Sequence, residues 1–120
     1  MATILVIDDQ KPIRSLFRAS LEGDGHEVLE ASNGLLGLER YRERAADLII
    51  TDMLMPEMNG LEMMLELNRS FPNDKVIAIS GSLESTGPLN AATLLGARQT
   101  FQKPLDMDKL LSAVRYILAH

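Results

Sequence analysis

Five side chains with useful chemistry share one relation to their surroundings. Asp8 and Asp9 close the apolar run Thr3-Ile4-Leu5-Val6-Ile7. Asp52 closes Leu48-Ile49-Ile50-Thr51, Ser80 closes Val76-Ile77-Ala78-Ile79, and Lys103 follows Gln99-Thr100-Phe101-Gln102. Three carboxylates brought to one place repel one another, and a hard divalent cation relieves that repulsion. Mg2+ takes oxygen ligands, keeps several waters, and binds through one or two carboxylates plus phosphate oxygens. Asp9 and Asp52 therefore read as direct ligands, Asp8 as a ligand through water, and a backbone carbonyl near Leu54 as the remaining donor. Lys103 supplies a compact positive charge and Ser80 a hydrogen-bond donor for a phosphoryl group. Phosphoryl transfer needs positioning and charge neutralisation more than covalent help, so these groups suffice, with Asp52 as the nucleophile.

That chemistry requires the five residues to meet, and the pattern around them predicts how. Residues 3–7 form a continuous apolar, largely β-branched run, which suits a strand covered on both faces (β1). Pro12 fits a first helical turn, and Ile13, Leu16, Phe17 and Leu21 recur at helical spacing until Gly23 and Gly25 (α1). Residues 27–31 alternate weakly, as an edge strand does (β2). From Asn33-Gly34 to Arg44, Leu35, Leu38 and Tyr41 share one face, and the charged residues read as a wet face (α2).

Leu48-Ile49-Ile50 is β3. Leu61, Met64, Leu65 and Asn68 mark α3, which ends near Phe71-Pro72. Residues 76–79 are β4, and the Gly- and Pro-containing stretch from Gly81 to Pro88 is expected to be the most mobile loop. A short α4 is expected from about Leu89 to Leu95, and β5 over 99–102. An α5 capped near Asp106 has Met107, Leu110, Leu111, Val114, Ile117 and Leu118 on its apolar face. Strands alternating with helices imply one doubly wound α/β domain over residues 1–120, a parallel sheet with right-handed crossovers. In such sheets ligands bind beyond the carboxyl ends of the strands, where Asp8, Asp9, Asp52, Ser80 and Lys103 all stand.

Bulk properties narrow the function classes. At 120 residues, 46 % hydrophobic and 24 % charged, the chain suits one globular domain. A formal charge of −5 argues against direct nucleic-acid binding. The lack of cysteine excludes disulfides and thiolate chemistry, and no run approaches the ~20 apolar residues of a membrane span. A soluble cytoplasmic protein is the expectation. The cluster Met53, Met55, Met58, Met63 and Met64 reads as core and loop packing, and His26 and His120 carry no assigned role.

The pairs Ile7-Asp8-Asp9, Thr51-Asp52-Met53-Leu54-Met55-Pro56 with Gly60, Ser80-Gly81 and Lys103-Pro104, in this order along the whole chain, resemble the receiver domain of two-component response regulators. The resemblance implies a flavodoxin-like sheet of order 2-1-3-4-5. It implies that Asp52 accepts a phosphoryl group from a histidine kinase or phosphotransfer protein, with Mg2+ held by Asp9, Asp52 and the carbonyl of Leu54. It also implies that Lys103 contacts the phosphate and that the Lys103-Pro104 peptide bond is cis. In the family a hydroxyl at the Ser80 position moves with an aromatic three residues before the lysine. Here that position holds Thr100, and Phe101 belongs to the opposite face of β5. Either Thr100 performs a reduced version of that movement, or the signal leaves through the loop after Ser80 and α4, the latter being the favoured expectation.

Leu54 and Ser82 hold the positions that flank the attacking water in the family, which implies a long phosphoryl lifetime. A downstream protein target and a monomer or weak phosphorylation-dependent dimer complete the implied picture. The chain ends with Leu118-Ala119-His120 and no output domain, as in a single-domain regulator or a piece of a larger regulator or hybrid kinase. A competing reading is a Mg2+-dependent aspartyl phosphatase, but Leu54, two residues after Asp52, offers no general acid.

Overall fold

The computed structural model describes residues 2–55, 58–71, 74–81 and 86–120, with 86–88 described by backbone alone. Pro56 and Ser82, singled out above, lie outside the described residues, as does most of the stretch from Gly81 to Pro88. The elements are β1 (Thr3–Ile7), α1 (Lys11–Gly23), β2 (Glu27–Ala31), α2 (Gly34–Glu43), β3 (Leu48–Asp52), α3 (Gly60–Ser70), β4 (Val76–Ser80), α4 (Thr86–Leu94), β5 (Gln99–Gln102) and α5 (Met107–Ala119). The strands form one parallel sheet in the order β2-β1-β3-β4-β5, with β2 at an edge as its weak pattern implied.

Alternation along the central strands divides the core in two. Ile4 and Val6 of β1 join Phe17, Leu21, Leu48, Ile50, Ile77, Ile79, Leu110 and Val114 beneath α1 and α5. Leu5 and Ile7 join Leu38, Tyr41, Ile49, Met63, Met64, Leu67 and Ala78 beneath α2 and α3. Both faces being covered is what the uninterrupted apolar runs of β1, β3 and β4 require. Met53, Met55, Met63 and Met64 are buried and Met58 packs against the same cluster, so these methionines are core residues.

Several helical details depart from expectation. In α2 the buried stripe is Gly34, Gly37, Leu38 and Tyr41, while Leu35 is 46 % exposed. A Cβ at Gly37 would lie 2.5 Å from Ile7 Cδ1, so close approach to the sheet selects the glycine face over Leu35. In α3 Met63 and Leu67 go inward and Leu65 is half exposed. The helix α4 begins at Thr86, ahead of the expected Leu89, and so takes Pro88 into its first turn, where no intrahelical N–H is required. The charges of α2 are not all merely solvated. Arg44 pairs with Glu27, and Arg40 Nε donates to the Glu30 carbonyl at 3.3 Å.

Three local devices fix the sheet edge that bears the reactive residues. Asn33 caps α2 by accepting from Leu36 N at 2.8 Å. Asn59 and Glu62 form a reciprocal capping box at the start of α3. Gly60 lets that helix start directly against β3, since a Cβ there would lie 2.5 Å from the Asp52 carbonyl oxygen and 2.8 Å from Met53 Cα.

Candidate functional site: an acidic pocket with a bridging lysine

Asp52 is the last residue of β3 and is buried. Its Oδ1 accepts a hydrogen bond from Leu54 N at 3.0 Å, a turn made by the chain as it leaves the strand. Thr51 Oγ1 donates to the Asp52 carbonyl at 2.9 Å, and Met53 N donates to Ile79 O at 2.9 Å, so the backbone around Asp52 is tied to itself and to β4. One carboxylate oxygen is thereby oriented, and the other, Oδ2, faces Lys103.

Asp8 follows β1 and is 2 % exposed, whereas Asp9 is exposed. Asp8 Oδ1 accepts from Gln10 N at 2.9 Å, and Asp8 N donates to Ala31 O at 3.1 Å. Ligand atoms of Asp8, Asp9 and Asp52 lie within 4.8 Å of one another. The neighbouring sequence positions Asp8 and Asp9 therefore meet Asp52, which is remote in sequence, as two adjacent parallel strands ending together require.

Lys103 reaches in from beyond β5. Its backbone N–H donates to Ser80 O at 2.8 Å, its peptide bond to Pro104 is cis, and its Nζ donates to Asp8 Oδ2 at 3.2 Å and to Asp52 Oδ2 at 3.1 Å. A Cβ at Gly81 would stand 3.3 Å from Lys103 Cδ, so the glycine leaves room for the extended stem. Burial works against the ammonium, but the Asp52 and Asp8 carboxylates outweigh it and raise the Lys103 pKa above its ordinary value. Burial pushes the Asp8 carboxyl up; the Gln10 N–H and Lys103 oppose that, and the Asp52 charge adds to it.

Three carboxylates against one ammonium leave the pocket net negative. That donor set fits a divalent cation with oxygen preference. A cavity of about 360 Å³ opens beside it, lined by Asp9, Gln10, Asp52, Leu54, Gly81 and Lys103. Ser80 is fully buried at the end of β4, and among the described residues its Oγ has no hydrogen-bond partner. A larger hollow of about 520 Å³ lies between Ala2, His26, Asp47 and Lys75, at the starts of the strands and hence at the opposite edge from the acids.

The two β5 residues singled out for readout separate. Thr100 is in register with Ala78 and lines a groove of about 310 Å³ with Leu89, Asn90 and Gln102, on the α4 side. Phe101 is in register with Ile79 and packs into the core beneath α1 and α5. Sequence reading missed a further group. Arg14 Nη1 donates to the Asp8 carbonyl at 2.7 Å, and Arg14 Nε and Arg18 Nε donate to the two oxygens of Glu30 at 3.1 and 2.6 Å. The available signal was two arginines four apart on α1, with two acids, Glu27 and Glu30, on the neighbouring edge strand.

A parallel five-stranded sheet with an acid cluster and a lysine at its carboxyl edge defines a flavodoxin-like α/β domain with a phosphate- and cation-compatible pocket. The response regulator receiver domain model matches residues 4–115. The chain is 37 % identical over 117 residues to the transcriptional regulatory protein ZraR of Klebsiella oxytoca, covering 98 % of this chain and 26 % of that protein. It is 32 % identical over 117 residues to sporulation initiation phosphotransferase F of Bacillus subtilis (strain 168), covering 96 % of this chain and 92 % of that protein. Thus it spans about a quarter of the first relative and nearly all of the second.

Among solved structures, a response regulator receiver domain protein from Clostridium thermocellum superposes with a TM-score of 0.92 at 33 % identity, covering 99 % of this chain and 95 % of that one. The response regulator TrrA from Thermotoga maritima, solved with Mg2+ and BeF, superposes with a TM-score of 0.84 at 29 % identity, covering 98 % and 99 %. The chain belongs to the response regulator receiver domain family.

Proposed function

We propose that this domain is a phosphorylation-activated switch whose acceptor is Asp52. An Asp52 carboxylate oxygen attacks the phosphorus of a phosphohistidine on a histidine kinase or phosphotransfer protein. The P–N bond breaks, its electron pair stays on the imidazole nitrogen, and that nitrogen takes up a proton from solvent. The observation that carries the reading is the Lys103 ammonium held between Asp52 and Asp8, with the Asp9 carboxylate in the same cluster. Lys103 neutralises charge that builds on the phosphoryl oxygens.

Asp9, Asp52 and the Leu54 carbonyl would hold Mg2+, with Asp8 acting through water, and the cation would supply charge neutralisation for the incoming phosphoryl group. The relative solved with Mg2+ and BeF supports that assignment by likeness. The leucine two residues after Asp52 offers no general acid for turnover of external phosphomonoesters, so the reading is a regulatory domain and not an enzyme. Buried Ser80, whose hydroxyl has no partner among the described residues, has its carbonyl bonded to the Lys103 main chain, and Thr100 faces α4, so the readout runs from Ser80 to α4 and a protein target.

The partners are proteins, since a net charge of −5 disfavours nucleic acid. Among the described residues no helix is long and apolar enough to cross a membrane, and a cytoplasmic site of action accords with partner kinases that donate there. Incubation with Mg2+ and a small phosphodonor, followed by intact mass, tests the assignment. The native chain is expected to gain one phosphoryl group and Asp52→Asn none. Labelling of Asp52→Asn, or of the native chain after chelation of Mg2+, would refute it.

A further inference from the structure

We propose that Arg14 of α1 is a positioning residue for the acid pair, an inference that rests on the assignment of Asp8, Asp9 and Asp52 as the metal and phosphoryl site. Arg14 Nη1 donates to the Asp8 carbonyl at 2.7 Å. That oxygen belongs to the same planar peptide unit as the Asp9 N–H, so fixing it fixes the plane from which Asp9 departs. The other edge of Asp8 is held by its N–H on Ala31 O, and Gln10 N closes the turn onto Asp8 Oδ1.

Asp9 depends on this clamp more than its neighbours do. Asp8 and Asp52 have their carboxylates held by Lys103 and by backbone N–H groups. Among the described residues the Asp9 carboxylate makes no hydrogen bond or ion pair, so its aim toward the cluster comes from its backbone alone. Arg14 is itself held. Its side chain is 15 % exposed, its Nε is bound by Glu30, and Glu30 is bound in turn by Arg18 Nε. The guanidinium fork thus spans a backbone carbonyl beside the pocket and a carboxylate on the edge strand, a task a lysine cannot duplicate with one nitrogen.

A purely structural role, tying α1 to β2 through Glu30, would be shared by Arg18. The two roles are separated by comparing variants of the whole chain. Arg14→Met keeps the aliphatic stem and removes every donor. It is expected to weaken Mg2+ binding, measured by titration calorimetry, by about tenfold, as loss of an outer partner of a metal ligand does. It is also expected to accelerate hydrogen exchange at the Gln10 amide in the metal-free protein. Arg18→Ala loosens Glu30 but leaves the Arg14 bond to the Asp8 carbonyl, so it should change both readouts clearly less than Arg14→Met, and Arg14→Lys should recover part of each.

Native Mg2+ affinity and native Gln10 exchange in Arg14→Met would overturn the proposal, as would equal losses in Arg18→Ala. Should Arg14→Met fail to fold, Arg14→Lys decides alone: affinity and exchange equal to native count against the clamp. The exchange readout needs no metal. A native chain that takes up no Mg2+ therefore overturns the metal assignment, while Gln10 exchange still decides whether Arg14 orders the turn.

Discussion

The Lys103 ammonium donates to Asp52 Oδ2 over 3.1 Å, joining two residues 51 positions apart in sequence across the carboxyl end of β4, which lies between their strands. A second bond to Asp8 Oδ2 places the charge where an incoming phosphoryl group must also sit. Removing the charge while keeping the stem, as in Lys103→Met, is expected to slow phosphoryl labelling of Asp52 by roughly a hundredfold, the loss typical of a preorganised donor. Time-resolved intact mass at fixed Mg2+ and phosphodonor measures it, and an unchanged rate would remove Lys103 from the chemistry.

Asp8 makes the site a source of instability. A carboxyl whose pKa is raised in the fold binds its proton more tightly there than in the unfolded chain, whose ordinary value is 3.8. Its favourable contribution is present below that value and is lost as pH rises through the raised one. At neutral pH the fold holds an anion it disfavours, so Asp8→Asn is expected to raise the Tm at pH 7. The gain should shrink towards pH 4. Added Mg2+ should raise the native Tm more than that of Asp8→Asn. Thermal melts across pH with and without Mg2+ check all three, and a Tm for Asp8→Asn below native at pH 7 would contradict the account.

The sheet and the clustering of Asp8, Asp9 and Asp52 were legible because β1 and β3 are apolar runs that lead straight into these acids, and because a parallel sheet places such ends together. What escaped reading was set by contacts that hydrophobicity does not encode. Gly37 lies inward and Leu35 outward because only the glycine admits Ile7 so closely. The early start of α4 was hidden by Gly87 and Pro88, which read as loop but suit a first turn. Arg14 escaped because its partner is a main-chain carbonyl, which no sequence pattern names.

On β5 the two residues nearest the lysine should behave oppositely. Phe101 packs into the core beneath α1 and α5, so Phe101→Ala is expected to cost about 2 kcal/mol, less than a fully enclosed ring. Thr100 lines an open groove towards α4, and Thr100→Ala should change stability by less than about 0.5 kcal/mol. If Thr100 takes part in readout, that substitution will instead alter the difference in target affinity between the phosphorylated and unphosphorylated forms. Denaturant unfolding gives the stabilities. Equal costs at the two positions would mean that the assignment of faces is wrong.

The fate of the phosphoryl group turns on Leu54. Its N–H donates to Asp52 Oδ1 at 3.0 Å, while its side chain is 50 % exposed at the rim of the 360 Å³ cavity beside Asp9 and Lys103. Water attacking phospho-Asp52 past this rim would meet the Leu54 hydrocarbon, which neither orients it nor accepts its proton. A positioned base contributes typically 10²–10⁴-fold, so its lack predicts a phosphoryl lifetime well beyond seconds. Leu54→Asn puts an amide at the same rim and, orienting water without accepting its proton, is expected to shorten the lifetime by about tenfold. Removing the phosphodonor and following intact mass compares the two chains directly. A native decay as fast as that of Leu54→Asn would show that Leu54 does not limit hydrolysis.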